Sequence, residues 1–219
     1  MRVIPIIPMS KAQAASIAGT VTQTSKMPCK SYSLPTLACK TGYKMAQISG
    51  SVCASCYANK GFYSMYAATV EPAQHARLDS LNNPHWVDAM VAHIGRDEYF
   101  RWHDSGDLQS LHHLEQIAQV ALATPNCKHW LPTREYGTVK AFIRAHGTFP
   151  GNLTIRLSAM YPDVPVIVPA SLKGIPGITT SNVHTVNPIG QRCTAPDHGG
   201  QCGDCRVCWT DAVVSYEMH

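Results

Sequence analysis

The last stretch of the chain, Cys202-Gly-Asp-Cys205-Arg-Val-Cys208, sets three thiols at two-residue spacing, and Cys193 lies a short way before them. Neighbours this close cannot all pair as disulfides without strain. Thiolates so spaced wrap the backbone around one point, which is how ferredoxin-like chains hold the corners of an iron–sulfur cubane. Far upstream, Cys39, Cys53 and Cys56 form a second group. Three thiolates there leave one iron of a 4Fe-4S cluster open. Seven of the nine cysteines thus fall into two metal-like groups, enough for one or two clusters.

Zinc is the rival metal. Cys53-x-x-Cys56 with Cys202-x-x-Cys205 would make a plausible four-thiolate site. Against it, zinc knuckles seldom place three cysteines at successive two-residue spacing, and seven thiols match neither four nor eight. His198 is an alternative ligand beside the C-terminal thiols. Cys29 stands apart from Cys39 in a proline-containing loop and is left out of both groups. Cys127 reads as a small buried apolar residue. Trp209, directly after Cys208, is placed to shield a cluster from water.

Positioning these groups requires a frame. Residues 1–60 are loop-rich, broken by Pro28, Pro35, Gly42, Gly50 and Gly61. A helix is expected from Tyr63 to Leu81, with Pro72 as its break or kink. Asn83-Pro84 opens the next helix, with Val87, Met90, Val91 and Ile94 on one face and Gly95 as its stop. From there strands alternate with helices. Glu98–Trp102, Lys128–Pro132 and Asn152–Ser158 read as strands, and 110–123 and 138–146 as helices. Residues 177–186 supply a further strand. Pro165 and Pro169 confine 164–170 to an irregular or edge role. This is the pattern of parallel βα units, in one domain spanning 1–219 with loop-rich, cysteine-bearing ends.

In such folds ligands sit at the carboxyl ends of the strands. The first clear strand runs into His103-Asp104-Ser105-Gly106-Asp107, the second into Thr133-Arg134-Glu135, and the third carries Arg156 and Ser158. His103, Asp104 and Asp107 suit a metal, a ribose or an amine. Arg134 and Arg156 suit a carboxylate or phosphate held by paired hydrogen bonds. The plainer reading is a turn capping the next helix and two structural arginines. Convergence of these five residues on one cleft facing Cys39, Cys53 and Cys56 is the expectation. His112 and His113, near a helix start, are expected at the surface.

Net charge is +4 and 15% of residues are charged, which argues for a filled core over disorder. Nucleic acid is not indicated by this balance, and no stretch approaches the length of a membrane helix. Nine cysteines with no evident secretory signal point to a reducing, cytoplasmic compartment.

Several long motifs resemble a bacteriophage family, gene product 88. They are Met27-Pro-Cys29, Ser31-Tyr-Ser-Leu-Pro35, Cys39-Lys-Thr-Gly42, Gly50-Ser-Val-Cys53-Ala-Ser-Cys56-Tyr-Ala58, Phe100-Arg-Trp-His-Asp-Ser-Gly-Asp-Leu-Gln-Ser110, Trp130-Leu-Pro-Thr-Arg-Glu135 and the terminal Cys-Gly-x-Cys-Arg-x-Cys-Trp209. The chain is also similar in style to phage proteins with a GC-x-x-CYA motif, regarded as distant relatives of radical-SAM enzymes. The resemblance implies a partial (β/α) barrel, a cubane on the N-terminal cysteines and residence in the host cytoplasm. Cys39 stands fourteen positions before Cys53, wider than the usual radical-SAM C-x-x-x-C-x-x-C loop, and no glycine-glycine-glutamate motif follows the first strands.

Three functions follow as expectations. The first is a radical-SAM-like enzyme, with S-adenosylmethionine on the open iron and an unknown small molecule as substrate. The second is a non-catalytic iron–sulfur protein that staples the domain, senses redox state or meets a phage or host protein. The third is a zinc-stabilised binding module.

Overall fold

The computed structural model describes residues 1–218. Eight strands form one sheet: β1 (Thr22–Gln23), β2 (Lys30–Tyr32), β3 (Tyr99–Trp102), β4 (Lys128–Thr133), β5 (Leu153–Ser158), β6 (Ile178–His184), β7 (Gln191–Arg192) and β8 (Val214–Glu217), in the order β1-β2-β3-β4-β5-β6-β8-β7. Only β1 and β2 pair antiparallel; every other pair is parallel. The helices are α1 (Lys11–Ala18), α2 (Lys40–Ala46), α3 (Gly61–Met65), α4 (Ala67–Ser80), α5 (Trp86–Ile94), α6 (Leu111–Ala123) and α7 (Tyr136–His146). Among the described residues, no helix is long and apolar enough to cross a membrane.

From β2 to β6 the strand order advances without reversal. Crossovers of one hand therefore lie on one face of the sheet. That face carries Tyr32, Phe100, Trp102, Leu131, Leu153, Ile155 and Leu157, which bury against α5, α6 and α7 in one apolar cluster. The expected mixed α/β architecture is present, but the sheet is open and no barrel closes. Its edge strands β1 and β7 have two residues each, too few to pair with one another around a ring.

The face a barrel would turn inward is packed by the chain's own C-terminal segment. Strand register aligns Ser31, Arg101, Trp130 and Thr154 in one row and Pro132, Arg156 and Thr179 in another. Trp209 lies over this face, edge-on to Trp130 at 5.3 Å and Tyr99 at 5.1 Å, and its Nε1–H donates to Phe100 O at 3.0 Å. Arg156, wholly buried, donates to the carbonyls of Thr180 (2.8 Å), Ala212 (2.7 Å), Thr210 (2.9 Å) and Cys208 (3.2 Å). One guanidinium thus ties β6 to the carbonyls of the C-terminal segment around Trp209.

Two local expectations change. The helical stretch after Tyr63 breaks at Tyr66, not at Pro72, which sits inside α4. Residues 164–169 are irregular, as Pro165 and Pro169 lead one to expect, and a 3-10 turn at Ala170–Leu172 follows. His113 is buried, not superficial, packed edge-on against Trp86 and His103. It lies on the inward stripe of α6 with Leu114 and Ile117.

Candidate functional site

Cys39 is the residue before α2, at the end of a 3-10 turn over Thr36–Ala38. Cys53 lies in a second 3-10 turn, Val52–Ser55, whose Ser51 hydroxyl accepts from Ala54 N–H at 3.1 Å. Cys56 closes that turn, its N–H donating to Cys53 O at 3.2 Å. Gly42, one turn into α2, faces the first two thiols. A Cβ there would stand 3.6 Å from Cys39 Sγ and 3.7 Å from Cys53 Sγ. The missing side chain leaves room between two sulfurs.

Glu135, at the end of β4, reaches this loop from the sheet. Its carboxylate accepts from Thr41 N–H at 2.6 Å and from the Thr41 hydroxyl at 3.0 Å. The first turn of α2 leaves its N–H groups unpaired within the helix, so a carboxylate from another element caps it and fixes Cys39 against the strand ends.

Asp107 and Arg134 border the same thiols. Burial pushes the Cys39 thiol upward, and Asp107 and the other two thiols add to this while Arg134 opposes it. Cys53 is raised by burial against the pull of Arg134. Asp107 Oδ1 accepts from Leu108 N–H (2.7 Å) and the Thr133 hydroxyl (2.5 Å), and Oδ2 from Arg134 N–H (2.8 Å). Burial still lifts this carboxyl to about 6. Arg134 Nε donates to Ala159 O at 2.9 Å. Its Nη edge has no hydrogen-bond partner among the described residues.

His103 and Asp104 occupy the neighbouring loop. Gly106, at φ +76°, lets that loop press on Leu34, where a Cβ would meet Leu34 Cβ at 2.5 Å. His103 holds a positive φ of 52°, and burial pushes its imidazole well below its usual pKa. Both His103 ring nitrogens and Asp104 Oδ1 are buried with no protein partner. Tyr63 donates to Asp104 Oδ2 at 2.8 Å, and the Tyr57 hydroxyl donates to Asp104 O. Four of the five expected residues therefore lie in adjoining strand-end loops, with Asp107 and Arg134 nearest the first thiols. Arg156 does not join them. Its place on β5 turns it to the opposite face, where it grips the C-terminal segment.

The second thiol group differs from the expected one by a member. Cys29 is buried and lies within electrostatic range of Cys202, and Cys202 within range of Cys193 and Cys205. Cys208 lies near Cys193 and 3.2 Å from the Tyr216 hydroxyl. Cys202 N–H donates to Lys26 O at 2.9 Å, binding this segment to the strand that bears Cys29. Burial pushes the Cys29 thiol up to about 12 and Cys208 up to about 11. Met27, Cys29, Trp130 and Trp209 make a small apolar cluster against Cys202 and Cys208. His198 turns to its own backbone, its Nδ1 2.9 Å from Thr194 O, and Cys127 is buried in the main core.

Arg101, part of the Phe100–Ser110 motif but not among the expected site residues, stands beside the second group and reaches Tyr57, the residue after Cys56. Its guanidinium lies 4.4 Å over the Trp130 ring, Nη1 is 3.4 Å from Met27 Sδ, and Nη2 donates to the Tyr57 hydroxyl at 3.3 Å. It is within electrostatic range of Cys29, Cys202 and Cys208 on one side and Tyr57 and Asp104 on the other.

Among the described residues, no three His, Cys, Asp or Glu side chains stand close enough to share a single ion. A tetrahedral zinc site needs every sulfur about 2.3 Å from one point. A cubane instead takes its thiolates at separate corners.

The protein-family model described as Gene product 88 matches residues 8–211. No curated protein and no solved structure matches the chain.

Proposed function

We propose that this chain, which belongs to the gene product 88 family, binds iron–sulfur clusters through two thiol groups with different duties. The observation that carries the reading is the gathering of eight of the nine cysteines into two sets, in which every thiol but the exposed Cys205 is buried or half-buried. Cysteines that serve only as small apolar residues have no reason to collect so. Cys127 lies in the main core and is left out of both sets, although Cys29 is within its electrostatic range.

Cys39, Cys53 and Cys56 would hold one cubane beside Asp107 and Arg134. Four ligands complete such a cluster, so three thiolates leave one corner for a small molecule. Arg134 offers its unpartnered Nη edge to a carboxylate on that molecule. S-adenosylmethionine fits this description, and release of 5′-deoxyadenosine after dithionite reduction tests it. Four of the five thiols Cys29, Cys193, Cys202, Cys205 and Cys208 would hold the second cluster and staple the C-terminal segment to the sheet. When bound, each cluster supplies one-electron storage. Arg101, within electrostatic range of Cys29, Cys202 and Cys208, would offset the negative charge of the second cluster, as Arg134 would that of the first.

The test is anaerobic purification followed by the visible spectrum and metal content. A brown protein with broad absorption near about 400 nm supports the reading. A colourless protein carrying stoichiometric zinc returns the thiols to a structural zinc role.

A further inference from the structure

The net charge of +4 conceals a strong division. Residues 1–70 contain seven Lys and Arg and no Asp or Glu, whereas residues 71–219 contain eleven Lys and Arg and all 14 acids. Asymmetry of this kind between two parts of a chain points to an anionic partner. Ordinary solvated surfaces intersperse both signs.

The structure concentrates part of this charge on the lobe around the first thiol group. Lys40, Tyr43 and Lys44 fall at i, i+3 and i+4 of α2, so they share one helical face, and all three are exposed. Tyr43 leaves 54% of its surface in solvent. Lys60 is exposed on the chain that follows Tyr57, and the turn is tied back to α2's approach by the Thr36 hydroxyl, which donates to Asn59 Oδ1 at 2.7 Å. Lys30 is neutralised by Asp97 at 2.6 Å, and Lys40 donates to Gln109 O at 2.5 Å. Lys44 and Lys60 form no ion pair among the described residues. Tyr57, 45% exposed, continues the aromatic surface toward Arg101, and Arg101 reaches Met27 beside exposed Lys26. The lobe thus exposes unpaired cations and tyrosine rings together.

We infer that this lobe is a binding surface for single-stranded nucleic acid, with Lys44 and Lys60 on phosphates and the Tyr43 ring under a base. Unpaired cations that track a backbone, interleaved with rings on which bases stack, are the combination such strands require. An acidic protein or an anionic membrane would also meet these cations, and the polyglutamate and vesicle arms of the experiment separate both from a strand whose bases stack on Tyr43.

The experiment is fluorescence anisotropy of a labelled oligothymidylate of about 20 nucleotides with the full chain, at about 50 and 200 mM salt. Binding should weaken with salt. In Lys44→Gln/Lys60→Gln the log–log salt slope should shrink by about 1.4 and affinity should fall at least about tenfold. Tyr43→Ala should weaken binding by about tenfold with the slope unchanged. Lys173→Gln, an exposed lysine in the acid-bearing part of the chain, should change neither. Circular dichroism confirms that each variant is folded. Absence of binding at low salt overturns the inference. So does binding that polyglutamate competes away while Tyr43→Ala has no effect, or association with phosphatidylserine vesicles alone.

Discussion

The Glu135 carboxylate, at the end of β4, lies 2.6 Å from the backbone nitrogen of Thr41, two residues past Cys39. One side chain, two residues past the end of β4 and at the N-cap of α7, thus fixes the entry of α2 and the position of the first thiol. Glu135→Gln keeps an acceptor but loses the charge that favours a helix N-terminus. It should lower stability by about 1 kcal/mol and reduce metal content at the Cys39, Cys53 and Cys56 group. Glu135→Ala should do more on both counts. Unchanged metal content in Glu135→Ala would mean that the loop holds its thiols unaided.

Gly42 allows a sharper separation of fold from chemistry. Alanine inside a helix is worth up to about 1 kcal/mol over glycine, so Gly42→Ala should leave the metal-free chain close to wild-type stability. The added methyl would stand between Cys39 Sγ and Cys53 Sγ, and 3.0 Å from Cys39 Cβ. Metal bound by the first group should therefore fall while thermal unfolding of the apo protein moves little. Full metal content in this variant would show that nothing occupies the gap.

Arg156 serves the other face. Arg156→Met leaves the carbonyls of Thr180, Ala212, Thr210 and Cys208 short of a donor, at a cost of several kcal/mol, about 1–3 for each group left dry. Protease cleavage after Arg192 or Arg206 should accelerate in this variant, because the segment between β7 and β8 loses its clamp. Unaltered cleavage would show that Trp209 and the thiols hold the segment alone.

Much of the frame is legible in the sequence, and the misses have physical causes. α5, α6 and α7 announce themselves through long apolar stripes with a capping Ser110 and a terminal Gly95 and Gly147. β2 has three residues, too short to show alternation, so the segment that brings Cys29 into the sheet reads as loop. Cys29, just before β2, packs with Trp209 and lies within electrostatic range of Cys202, a relation no spacing along the chain reveals. Arg156 misleads for a related reason. Every residue of β5 is buried, so the strand lacks the inward–outward pattern that would show which face Arg156 takes. The charge division at residue 70 was open to inspection, but an average over the chain hides it.

Acid should destabilise the fold through its buried histidines. Burial lowers His113 and His129 to about 3, against about 6.5 in an unfolded chain. Their folded-state pKa values are depressed, so the stability they contribute is present above pH 6.5 and is lost as pH falls from there toward 3. Each contributes a slope of up to about 1.4 kcal/mol per pH unit in that window. Asp107, raised to about 6, acts in the opposite sense and offsets part of the loss between its two pKa values. Urea unfolding at pH 7, 6 and 5 should show a falling midpoint. His129→Gln, which can keep the bond to the Thr124 hydroxyl, should show a shallower fall. A midpoint independent of pH would show that these rings titrate normally.

The central claim is that two separate sets of cysteines each hold a cluster. Iron and acid-labile sulfide counts in anaerobically prepared wild type, Cys53→Ala and Cys202→Ala test it most directly. Two cubanes require about eight irons in the wild type, with about four remaining in each single variant. Cys127→Ala, outside both sets, should retain the full count. Zinc in place of iron, or a loss in Cys127→Ala equal to that in Cys53→Ala, would contradict the account.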